Sequence, residues 1–259
     1  MKHFILNNEP DSDGIIRLEG KNYRYLIRTR RLAVGEFFPA LLPCGKETLI
    51  KILSTGNNLL IGKCEEEKSL DNGLFCKSGI PPIILLQALP KGDKMDLIVR
   101  QAAESGISQI IPFVSEFSIG KANVGEKKFS RWERIVKEAR QQSGSKVSTA
   151  LHFPLTINEV FDYWGKINKD GALGLLFHHQ GVEKISLHRY LKDDSKIIVM
   201  AIGPEGGFSE TEVSQFLENG FKALTIGDTV LRTETAALYC AAAIKIILLE
   251  KDAWELNKV

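Results

Sequence analysis

Ile197-Ile198-Val199-Met200-Ala201-Ile202 runs directly into Gly203-Pro204-Glu205-Gly206-Gly207-Phe208-Ser209. A short apolar run bounded by turn signals reads as a buried strand. Three glycines and a proline then turn the backbone sharply and leave it bare where that strand ends. Ser209 with Glu212 forms a capping box, which opens a helix whose apolar face is Val213, Phe216 and Leu217. After a gap of about twenty residues comes Val230-Leu231-Arg232-Thr233-Glu234-Thr235-Ala236, which sets an arginine, a glutamate and two hydroxyls at the mouth of a very apolar helix. The two stretches read as walls of one ligand site.

Working outward, the same alternation of apolar runs and helical periods extends back to Ile83. Strands are expected at Ile83 to Ala88, Gln109 to Val114, Ala172 to Phe177, Lys196 to Ile202 and Phe221 to Ile226. Between them the spacing predicts a helix over 91–105 with Met95, Ile98 and Ala102 on one face, and another over 128–142 facing inward with Trp132, Ile135, Val136 and Ala139. Thr156 with Glu159 is a second capping box. This predicts an α/β domain with a mostly parallel sheet. Parallel sheets bind ligands beyond the carboxyl ends of their strands. Three loops meet that description: His178 to Gly181, the Gly-Pro-Glu-Gly-Gly loop, and Gly227 to Arg232.

Residues 1 to about 76 have a different texture. Short strand-like runs at Met1 to Leu6, Phe37 to Leu42, Thr48 to Leu53 and Leu59 to Cys64 are separated by turn signals, which suggests a small β-barrel. Within it, Lys21 to Arg31 carries five basic residues (Lys21, Arg24, Arg28, Arg30, Arg31), two tyrosines and no acid. Two readings are open: an RNA-facing surface, with arginines for phosphates and tyrosines for bases, or a solvated helix or strand face. Periodicity is interrupted over 69–82, which places a domain boundary near residue 76.

Composition narrows the class. The chain has 259 residues, 44% apolar and 25% charged, with net charge +2, so bulk charge makes no case for nucleic acid. The longest apolar stretch, Ala236 to Leu249, contains Lys245 and is too short for a membrane helix. Four scattered cysteines make neither a disulfide framework nor a zinc site, so a cytoplasmic chain is expected. No dinucleotide fingerprint follows the first strand of the α/β region, and the glycine loop has no P-loop lysine. Glu205 in that loop would repel phosphate, which favours a neutral or cationic ligand such as a nucleoside bearing a sulfonium. His178 and His179 point apart on a strand and do not form a shared metal site.

These residues resemble the RsmE family of 16S ribosomal RNA uridine N3-methyltransferases. The motifs that carry the resemblance are Gly203 to Ser209, Ile226-Gly227 and Leu231 to Ala236, supported by Lys91 to Asp96, Ile111-Pro112, Ser115-Glu116, Arg131-Trp132, Glu138-Ala139 and Gln142-Ser143. The resemblance implies a PUA-like barrel over 1–76 that binds RNA through Arg24, Arg28, Arg30 and Arg31. It also implies a SPOUT methyltransferase domain over 77–259 with a C-terminal deep trefoil knot. S-adenosylmethionine would be held by Phe177, Gly203, Gly207, Ile226, Gly227, Val230 and Leu231, with His178 and Ala236 beside them. Arg232 is the expected stabiliser of the uridine anion, and Glu205 or Glu234 would orient the base or accept its proton. A homodimer acting on 16S ribosomal RNA or the small subunit is expected. Four departures each remove positive charge: Gln101, Phe117, Ser145 and Thr229 stand where the family usually has a basic residue. They leave open a different RNA target, or a non-catalytic RNA-binding role.

Overall fold

The computed structural model describes residues 4–43, 46–65, 80–118, 124–178, 186–192 and 194–255. The chain divides into two compact units, Met1–Phe75 with Arg140–Ser148, and Cys76–Ala139 with Thr149–Val259.

In the first unit the strands are β1 (Phe4–Ile5), β2 (Ile15–Glu19), β3 (Phe37–Leu41), β4 (Glu47–Gly56) and β5 (Leu59–Glu65). They form one sheet in the order β1-β3-β4-β5-β2, antiparallel except for the parallel β1–β3 pair. Alternate residues such as Ile50 and Ile52 point into a core with Phe38 and Leu60. Gly62 is required there, because a Cβ would lie 2.5 Å from Ile50 Cγ2. β2 is not among the strands expected from the sequence, although Ile16 and Leu18 alternate there with the exposed Arg17 and Glu19, the pattern of a half-buried strand. The basic stretch is a short helix α1 (Gly20–Tyr23) followed by a π-helical turn (Arg24–Thr29). Arg24, Arg28 and Arg31 are exposed and Arg30 is half-buried. The two tyrosines are not free platforms for bases: Tyr23 and Tyr25 pack against the core, Tyr25 stacking on Phe4 at 6.2 Å.

The second unit is built on β6 (Ile83–Ala88), β7 (Gln109–Val114), β8 (Ala150–Leu151), β9 (Leu155–Thr156), β10 (Ala172–Phe177), β11 (Ile197–Ile202) and β12 (Lys222–Leu224). The path runs β12-β10-β11-β6-β7-β8, with β9 also on β7, and every pair is parallel. β6 is buried at all six positions, because helices cover both faces, as parallel sheets require. Its odd residues Ile83 and Leu85 join one core with α2 (Lys94–Glu104), α3 (Glu126–Ser143) and α7 (Thr233–Glu255). Its even residues Ile84, Leu86 and Ala88 join another with α4 (Ile157–Ile167) and α6 (Glu210–Glu218). A four-residue helix, α5 (Leu187–Tyr190), precedes β11.

Both capping boxes form as the sequence predicts. One residue departs from its expected face: Leu217 of α6 is 47% exposed, while Phe216 is fully buried. Phe216 sits among Phe113, Phe161, Phe208 and Phe221, and that aromatic cluster turns the helix so that its neighbour faces water. β8, β9 and α5 are too short to leave a periodic signal.

Candidate cofactor site

The chain that leaves β11 is pinned from several directions. Gly207 N donates to the Pro204 carbonyl at 3.0 Å, and Gly207 has φ +72°, the left-handed region that glycine adopts without strain. A Cβ on Gly203 would fall 3.1 Å from the Gly207 carbonyl carbon, so the close approach of the two backbones depends on Gly203 having no side chain. Phe208 then anchors it by stacking on Phe113 at 6.2 Å. The Thr233 hydroxyl, at the start of α7, donates to the Gly203 carbonyl at 2.6 Å. The buried Gln87 amide of β6 donates in turn to Thr233 Oγ1 at 3.0 Å. Thr233 is one of the two hydroxyls that the sequence sets at this helix start, whereas Gln87 is not among the residues it singles out. The available signal was a single polar residue inside an otherwise apolar, fully buried strand.

β12, β10 and β11 are neighbours, so their carboxyl ends bring three loops side by side. His178 N donates to the Leu224 carbonyl, and Thr225 Oγ1 to the His178 carbonyl, which tie the ends of β10 and β12 together. These loops and the first turns of α7 enclose a cavity of about 240 Å³. Of the predicted cofactor residues, Phe177, His178, Gly203, Gly207, Ile226, Val230, Leu231 and Ala236 line it, whereas Gly227 does not. His179, Gln180 and Gly181 lie outside the described residues. Ile202, Leu224, Ile226 and Leu231 make much of the wall apolar. Cys240 closes it on the α7 side, its thiol pushed up to about 12 by burial, and such a group is no nucleophile.

The three candidate catalytic residues fall in different places. Glu205 lines the cavity, but its carboxylate accepts from the Lys91 backbone N–H at 3.1 Å and pairs with Lys94 Nζ. Partial burial pushes this carboxyl up, yet hydrogen bonds from Lys94 and from the Glu205 and Lys91 amides outweigh it and hold it below its ordinary range. Its charge is therefore spent within the protein. The repulsion of anions expected from the sequence does not operate at full strength, and the preference for a cationic ligand cannot rest on it. Arg232 is exposed and outside the cavity wall, between Leu231 and Thr233, which line it. It forms no ion pair with Asp228 or Glu234 among the described residues. Glu234 keeps one carboxylate oxygen buried without a hydrogen-bond partner. No group of three or more metal-ligating side chains occurs among the described residues, and none of their helices is long and apolar enough to cross a membrane.

A glycine loop, an apolar cavity at the ends of adjacent parallel strands and a hydroxyl-bearing helix start suit a nucleoside-like ligand, and sequence comparison decides which family uses them here. The RNA methyltransferase domain matches over residues 78–245. The chain belongs to the RNA methyltransferase family. Ribosomal RNA small subunit methyltransferase E 2 of Borreliella burgdorferi is 29% identical, covering 96% of this chain and 98% of its own. Ribosomal RNA small subunit methyltransferase E of Aquifex aeolicus is 29% identical over 91% of this chain and 96% of its own. Among solved structures, ribosomal RNA small subunit methyltransferase E from Neisseria gonorrhoeae, bound to S-adenosyl methionine, superposes with a TM-score of 0.78. It is 27% identical and covers 95% of this chain and 98% of that one. The resemblance drawn from the two C-terminal motifs is borne out, and in this RNA methyltransferase those motifs wall one cavity.

Proposed function

We propose that this chain transfers the methyl group of S-adenosylmethionine to N3 of a uridine in 16S ribosomal RNA of the small subunit. The observation that carries this reading is the cavity at the ends of β10, β11 and β12, walled by the residues that bear the family motifs. The small-subunit names of full-length relatives favour that RNA over another target, and favour an enzyme over a binding protein.

The residues present fit the cofactor. Leu224, Ile226 and Leu231 offer apolar faces to an adenine ring, and the bare loop from Gly203 to Gly207 offers backbone groups to the polar remainder. S-adenosylmethionine supplies an electrophilic methyl on a sulfonium. The chain's own part is mainly positioning, because an in-line displacement depends on alignment. Uridine N3 becomes nucleophilic on losing its proton, and Arg232, exposed and flanked by the wall residues Leu231 and Thr233, would stabilise the resulting anion. Of the two acids, Glu234 is the better candidate to orient the base or take its proton, since its buried oxygen has no other partner. Glu205 serves to fasten the glycine loop to the loop before α2.

The same reading assigns 1–76 as a PUA-like RNA-binding barrel, with Arg24, Arg28, Arg30 and Arg31 towards phosphates. It assigns 77–259 as a SPOUT domain with a trefoil knot in its last strands, acting in the cytoplasm. A second copy of the chain would cover the apolar face that α7 leaves in water at Leu238, Tyr239, Ile246 and Leu249. The test is calorimetric titration with S-adenosylmethionine beside a tritiated methyl-transfer assay on undermethylated small subunits. Binding with label at a uridine N3 is expected; binding with no label would remove the enzymatic reading.

A further inference from the structure

Phe117 stands in a tight turn, Ser115 to Ser118, that follows β7. Ser118 N donates to the Ser115 carbonyl at 3.0 Å, and the two serine hydroxyls lie 3.1 Å apart. The Ser118 hydroxyl also reaches the Leu89 carbonyl beyond β6, at 3.0 Å. From the other side Glu116 N donates to Oε1 of the buried Glu212, at 2.9 Å, while Oε2 of the same carboxylate closes the capping box of α6. The backbone under Phe117 is thus fastened to two neighbouring elements. Its ring is nevertheless 43% exposed. The covered part rests on the glycine loop: a Cβ on Gly206 would lie 3.0 Å from Phe117 Cβ and 3.4 Å from its Cγ. Gly206 in turn lines the cofactor cavity.

The fold makes little use of this ring. The hydrogen bonds of the turn come from backbone groups, the two serines and Glu212, and a half-exposed phenyl buries little apolar area. What the arrangement does provide is a rigid aromatic face in water at the rim of the cavity. Unpaired RNA bases are bound by stacking on such faces, and arginine guanidinium planes do the same work. Stacking also suits the proposed reaction. It engages the flat face of a uracil and leaves the in-plane N3 edge free to point at the methyl donor. Lys91 lies exposed on the loop that Glu205 binds, and its ammonium has no partner among the described residues, so a phosphate can be met close by.

We propose that Phe117 is the stacking platform for an unpaired nucleobase of the RNA substrate, held on the glycine loop at the mouth of the cofactor cavity. This rests on the methyltransferase reading, and the test separates the two. Phe117→Ala, Phe117→Leu and Phe117→Trp are compared with wild type for methyl transfer to undermethylated small subunits, and for S-adenosylmethionine affinity by calorimetry. Leucine preserves an apolar contact with Gly206 without offering a ring. Alanine and leucine are each expected to raise KM for the RNA substrate roughly tenfold or more, with cofactor affinity within about twofold of wild type. Tryptophan is expected to restore KM, and its added fluorescence, taken as the difference from wild type, should be quenched by a short uridine-rich RNA but not by cofactor alone. If leucine supports wild-type KM, or if saturating RNA leaves the added fluorescence unchanged, the stacking role is wrong. Quenching with no methyl transfer by the wild type would instead retain the platform and overturn the enzymatic reading.

Discussion

Two acids, Glu205 in the cavity wall and Glu234 outside it, illustrate how context separates residues that look alike in sequence. Glu205 and Glu234 are both acids in loop-to-helix motifs, yet one carboxylate is paired with Lys94 and the other keeps a buried oxygen unpartnered. Glu205 is held below its ordinary carboxyl range, so its contribution is present above that range and is lost as pH falls through its folded value. Glu205→Gln has no such group to titrate. Between about pH 6 and about pH 3.5, its urea midpoint is therefore expected to fall less than that of wild type, and equal slopes would show that the Lys94 contact contributes nothing. Arg232 is the other test at this scale. Its guanidinium is exposed and its removal opens no cavity in the core. Arg232→Ala should lower kcat on ribosomal subunits by about 100-fold or more with cofactor affinity unchanged. Near-normal turnover in single-turnover assays would take away its role.

At the scale of elements, the start of α6 couples fold to site. Ser209 caps the helix, Glu212 completes the box, and the same Glu212 carboxylate holds the turn that carries Phe117. Ser209→Ala is expected to cost about 1 kcal/mol, read from urea unfolding followed by circular dichroism. β10 depends on a different local feature, the absence of a side chain at Gly174. A Cβ there would sit 2.9 Å from the Phe221 ring inside the core. Gly174→Ala should destabilise by about 1–3 kcal/mol in the same measurement, as overpacking does. A neutral result would mean that the ring can move aside. The four longest strands of the parallel sheet were legible because a run of buried residues carries its own signal; β8 and β9 were not, because two residues carry no period.

For the whole molecule, the face of α7 bearing Leu238, Tyr239, Ile246 and Leu249 is expected to make a dimer. Sedimentation should give twice the 28.9 kDa chain mass, and Ile246→Asp with Leu249→Asp should return it to a monomer. A monomeric wild type would leave that face without its proposed partner. The sequence by itself determined the α/β class, both capping boxes, the two glycine- and arginine-bearing motifs and the family they mark. These are local or periodic properties, written in adjacent residues. The tertiary structure alone decided which of those residues share a cavity. It placed Gly227 and Arg232 outside the wall, brought Gln87 to Thr233 across 146 positions of chain, and spent the charge of Glu205 on Lys94. It also set Phe117 against Gly206, although the two lie on separate loops. Such pairings follow from the order in which parallel strands lie side by side, and a strand's own residues encode its burial but not its neighbour.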